Sequence, residues 1–66
     1  MKIEVNREII QFNGDTISDL IKEQGKNGNS GLVVVVNGTI VLKNQWDIYK
    51  LKEADSIFII IPAEGG

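Results

Sequence analysis

Glycine carries no functional group, yet the Gly65-Gly66 ending is the part of this sequence with the most chemical content. Residues 62–66 read Pro-Ala-Glu-Gly-Gly. Fully extended, five residues reach about 17 Å. Without a Cβ, a glycine backbone can enter a narrow channel and adopt almost any φ. The Gly66 carboxylate is then the most distinctive reactive group on the chain. A carboxylate is not an acyl donor until it is activated. ATP-dependent adenylation would give it a good leaving group, and a sulfur donor could then convert it to a thiocarboxylate.

The remaining residue types offer little catalytic chemistry. Cysteine and histidine are both absent. That removes disulfides, Cys/His zinc, haem and iron–sulfur sites, cysteine nucleophiles and histidine-based triads. Ser18 and Ser30 have no base to activate them. The carboxylates are scattered over strand ends, helix and tail, and read as solvated surface charge. The loop 25–31 superficially looks like a phosphate cradle. It lacks the Gly-Lys-Ser/Thr ending and is followed by the wrong element, so it reads as a flexible connection. Trp46 and Tyr49 could stack a nucleobase, but no basic groove accompanies them, so they read as packing. Seven basic and nine acidic residues leave a net charge of −2. Nothing in that balance favours nucleic acid or an anionic membrane. The uncharged stretch 28–42 is too short and too broken to span a bilayer. The N-terminus has no apolar leader, so a cytoplasmic location is expected.

Sixty-six residues make one domain, with little capacity for a large internal cofactor pocket. Residues 2–5 and 8–12 are expected to form an N-terminal hairpin turning at Asn6-Arg7. Asn13-Gly14-Asp15 is turn chemistry, with Asn and Gly able to take positive φ. Thr16 is placed as a helix N-cap, with Asp19 completing a capping box. Ile17, Leu20 and Ile21 share one helical face, and Gly25 is the C-terminal stop. Residues 32–36 and 39–42 form a second hairpin around Asn37-Gly38, whose type I′ turn needs two positive φ values. Residues 43–50, with Trp46 and Tyr49, are expected to form a short irregular or 3-10 segment folding back under the sheet. Residues 57–61 are the last strand, and Pro62 ends it.

The runs 32–36 and 57–61 lack alternation, which places them mid-sheet. A compact sheet over one short helix then needs the first and last strands side by side and parallel, in its centre. The expected fold is α+β: a ubiquitin-like β-grasp, a ββαββ-type mixed sheet with one main helix on one face. Residues 1–61 would be the β-grasp domain and 62–66 a flexible tail. One helix covers only one face. Either the segment around Trp46 covers part of the other, or an apolar patch is exposed for a partner.

The whole chain resembles the ThiS-type sulfur carriers of thiamine biosynthesis. The matching features are the length, the Met-x-Ile-x-Val-Asn start and the Val-x-Val-Asn-Gly-x-Ile-Val hairpin. Gln45-Trp46, Asp55 before the last strand and the terminal Gly65-Gly66 complete the match. The chain departs from that pattern at Arg7 and Ala54, where glycine is common, and at Glu64, where a small or apolar residue is frequent. The first two touch turn geometry; Glu64 bears on partner choice.

The resemblance implies a carrier that is a co-substrate and not an enzyme. An E1-like enzyme would adenylate Gly66 using ATP and magnesium, with no cofactor held by the carrier itself. A sulfur donor such as a cysteine desulfurase system would deliver the sulfur, and thiazole synthase would consume it. Gly65, Glu64 and Ala63 would enter partner active sites, and the sheet face opposite the helix would dock partners. The free carrier is expected to be a monomer. The alternatives are a carrier like the small subunit of molybdopterin synthase, or a β-grasp interaction module with an inert tail.

Overall fold

The computed structural model describes residues 1–26 and 31–62. Their order is β1 (Lys2–Val5), β2 (Glu8–Gln11), α1 (Ile17–Glu23), β3 (Val33–Val36), β4 (Thr39–Val41), a 3-10 turn (Lys43–Gln45) and β5 (Ser56–Ile60). The sheet runs β2-β1-β5-β3-β4. β1 lies parallel to β5, with Glu4 opposite Ser56 and Val5 opposite Ile57. β3 pairs antiparallel with β5 from Val33↔Ile60 to Val36↔Ile57. The two strands without alternation are interior, and the first and last strands meet in parallel, as the β-grasp requires.

Both hairpins turn in two residues with positive φ, Asn6 and Arg7 at 49° and 72°, Asn37 and Gly38 at 50° and 86°. Those values match the right-handed twist of the flanking strands. The helix is seven residues long and is held at its start by a complete capping box. Thr16 Oγ1 accepts from Asp19 N at 3.2 Å, and Asp19 Oδ2 accepts from Thr16 N at 3.1 Å. A helix this short depends on docking; Ile17, Leu20 and Ile21 are buried against Ile3, Val5, Val34, Val36, Ile57 and Ile59.

Three details differ from the sequence reading. Positive φ is not used at Asn13 or Gly14. Gly14 is required for space instead: a Cβ there would lie 2.6 Å from Asp19 Cβ and 2.7 Å from Phe12 Cζ. The last strand starts and ends one residue earlier than the apolar run, because Ser56 pairs with Glu4 while Ile61 lies beyond the ladder. The segment around Trp46 packs beside α1, not under the opposite face. Ser18 N donates to Trp46 O, Ile17 N donates to Tyr49 O, and Trp46 Nε1 donates to Val41 O at 2.9 Å.

Candidate functional site

With Trp46 committed to the helix side, the other sheet face has no cover among the described residues. Side chains alternate along each strand and cross-strand partners share a face. Val35 therefore stands between Ile40 and Phe58, and Val33 stands beside Ile60. Leu42 follows Val41 onto the same side. These six residues form an uncharged apolar surface over β3, β4 and β5. Ile40, Leu42 and Ile60 are 61%, 65% and 50% exposed. Towards β1 and β2 the face is mixed: Glu4 stands between Ser56 and Ile9, itself 69% exposed, and Lys2 stands opposite Gln11. A contiguous exposed apolar surface on so small a domain marks a place where something binds.

The surface leads to the end of β5, beyond which the chain continues to residues 63–66. β5 ends at Ile60, and Ile61 and Pro62 are exposed. Ala63, Glu64, Gly65 and Gly66 lie outside the described residues, as does Ser30 in the loop before β3.

Three polar side chains fix β5 beneath this surface. Asn6 Oδ1 accepts from Ile59 N at 2.9 Å, where β1 has already turned away and leaves that N–H without a ladder partner. Asn37 Oδ1 accepts from Ser56 N, and Asn37 Nδ2 donates to Asp55 Oδ1, both at 2.9 Å. Asp55 Oδ2 accepts from Lys52 N at 2.8 Å. Asp55 is buried, and these bonds satisfy it; among the described residues no buried side-chain nitrogen or oxygen lacks a partner. The sequence pointed to Asp55 only through resemblance, because one partner, Asn37, lies across the fold and the other, Lys52 N, is a backbone group that no residue type marks.

Two shallow depressions lie elsewhere. One is lined by Ser18, Ile21, Lys22, Lys43, Trp46 and Asp47, where Ser18 Oγ donates to the Asp47 carboxylate. The other lies beside Lys2, Glu4, Ile9 and Glu53. The first thus gives the Ser18 hydroxyl a carboxylate partner that the sequence reading did not expect, though the pair is solvent-exposed, and the second is lined by no hydroxyl. Among the described residues no cluster of three or more acidic or other metal-ligating side chains occurs. The described surface therefore offers an apolar face beside the end of β5.

The sequence model of the ThiS family matches residues 2–66. The chain belongs to the ThiS family. The crystal structure of the thiamine biosynthesis protein ThiS from Geobacter metallireducens superposes with a TM-score of 0.84, covering 100% of both chains at 19% identity. At that identity the likeness establishes the shared fold. None of the curated proteins compared matches the chain. Family membership supports a sulfur-carrier role in thiamine biosynthesis.

Proposed function

We propose that this chain is a sulfur carrier whose Gly66 carboxylate is adenylated by an E1-like enzyme, converted to a thiocarboxylate, and spent by thiazole synthase in making the thiazole ring of thiamine. The observation that carries the reading is the apolar face running to the root of a tail that ends in Gly65-Gly66, on a ThiS-family domain. ATP and magnesium belong to the adenylating partner. Its product, an acyl adenylate, has AMP as leaving group. A persulfide from a sulfur donor such as a cysteine desulfurase system then attacks the same carbonyl carbon, AMP leaves, and a thiol reductant cleaves the resulting S–S bond to free the thiocarboxylate. The carrier's contribution is recognition and reach: the apolar face docks, and Ala63, Glu64 and Gly65 follow the carboxylate into the partner. Catalysis resides in the partners.

Intact-mass analysis of the chain from its own host, untagged at the C-terminus, tests the reading. The expected result is sulfur in place of one oxygen, mapped to Gly66 by fragmentation. An unmodified chain is then incubated with ATP, the adenylating enzyme of the same organism and a sulfur donor. Failure to form the thiocarboxylate there overturns the carrier reading in favour of an interaction module with an inert tail. Deleting Gly66, or adding one residue after it, is expected to abolish adenylation while leaving the thermal unfolding midpoint unchanged.

A further inference from the structure

The end of β5 is determined by two residues that face each other. Continuing the β3–β5 register two residues past Val33↔Ile60 sets Gly31 opposite Pro62. Antiparallel partners alternate between pairs that exchange both backbone hydrogen bonds and pairs that exchange none. Asn37 N donates to Ser56 O at 2.8 Å, which places that pair in the bonded class. Steps of two residues carry the same class through Val35↔Phe58 and Val33↔Ile60 to Gly31 and Pro62. Pro62 therefore stands at a bonded position with no N–H to donate. Gly31 has φ 74°, outside the strand region, and a Cβ on it would lie 3.2 Å from Pro62 Cγ. The ladder is refused from both sides at one point.

We propose that Pro62 is a positioning residue: it stops the sheet at Ile60 and so commits the chain beyond it to a partner, not to further pairing with β3. The proposal rests on the sulfur-carrier reading. The five preceding residues, Ile57-Phe58-Ile59-Ile60-Ile61, all favour extended structure. An ordinary residue at 62 would supply the missing donor, and Gly31, which can take either sign of φ at little cost, would be free to return to the strand region and accept it. A partner would then meet a tail partly withheld by its own sheet. The apparent affinity is scaled down by the fraction of chains that remain free to bind.

Two variants separate this role from simple loss of the proline ring. Pro62→Val restores an N–H in a strand-favouring residue; Pro62→Gly restores it in a residue that disfavours strand. Hydrogen exchange of the amide at position 62 reports whether the ladder extends. ATP–pyrophosphate exchange catalysed by the adenylating enzyme of the same organism reports delivery of the carboxylate. For Pro62→Val the amide is expected to be protected at least about tenfold over an unstructured one, with KM raised in the same proportion, at least about tenfold, and kcat unchanged. Pro62→Gly is expected to keep an unprotected amide and a near-native KM. An unprotected amide in Pro62→Val, an unchanged KM despite protection, or equal KM increases in both variants would overturn the proposal. Absence of exchange activity in the unsubstituted chain would overturn the carrier reading instead, while hydrogen exchange alone would still decide whether Pro62 ends the sheet.

Discussion

At the scale of single residues, the turns carry strain that the sequence could have avoided. Arg7 and Ala54 have φ of 72° and 71°. The left-handed region costs an ordinary L-residue roughly 1–2 kcal/mol, and among the described residues neither side chain makes a hydrogen bond that offsets it. Ala54→Gly is accordingly expected to raise stability by about 0.5–1 kcal/mol after the extra entropy of the unfolded glycine is counted. Urea denaturation reads the change as a shift in midpoint without a change in slope. Gly14→Ala has the opposite sign. Its φ is not positive, but the added methyl would press on Asp19 Cβ and the Phe12 ring, costing about 1–3 kcal/mol. Asn37 also takes a positive φ, but it accepts from Ser56 N and donates to buried Asp55. Asn37→Ala is expected to cost about 2–3 kcal/mol by the same denaturation assay, because it leaves those groups without their partner.

Among the elements, the helix shows most clearly what local chemistry can set. Its carboxylate cap holds Asp19 below the ordinary aspartate value of 3.8, chiefly through the Thr16 backbone N–H and then that of Asp15. A depressed folded pKa means the cap's contribution is present above the unfolded value and is lost as pH falls through the folded one. The Asp19 carboxyl carbon followed by NMR is expected to titrate below 3.8, and Asp19→Asn is expected to flatten the fall in stability on the acid side. The cap was legible because it is written within four residues, Thr16 to Asp19. The hairpins were legible for the same reason, since Asn37-Gly38 and the flanking runs set their own turn. The parallel seam followed from the missing alternation in β3 and β5. The side on which Trp46 would settle was not legible: its partners, Val41 O and Ser18 N, are fixed only after the sheet has formed. Gly14 was assigned the wrong reason, because its neighbours Phe12 and Asp19 crowd it only once the helix has docked. Of the candidate site, the terminal glycines were evident from position alone, whereas the six-residue apolar face emerged only from the pairing register.

For the whole molecule, the proposed function makes the open face and the end of β5 one recognition unit. Ile40 lies on edge strand β4, 61% exposed, so Ile40→Lys is expected to leave the unfolding midpoint within error. It should weaken binding to the adenylating partner at least about tenfold, or 1.4 kcal/mol, by isothermal titration calorimetry. An unchanged affinity would move the docking site off the β3–β4–β5 surface. The placement of β5 also decides how the molecule responds to force. A pull on the C-terminus against the N-terminus runs along β5, which is flanked by parallel β1 and antiparallel β3. The hydrogen bonds on both sides are then loaded together in shear instead of being peeled open singly, as they would be at the free end of a hairpin. The strand that leads to residues 63–66 is thus the one gripped on both sides, and under the proposed function a partner that holds the C-terminus would have the domain behind it as a mechanical anchor.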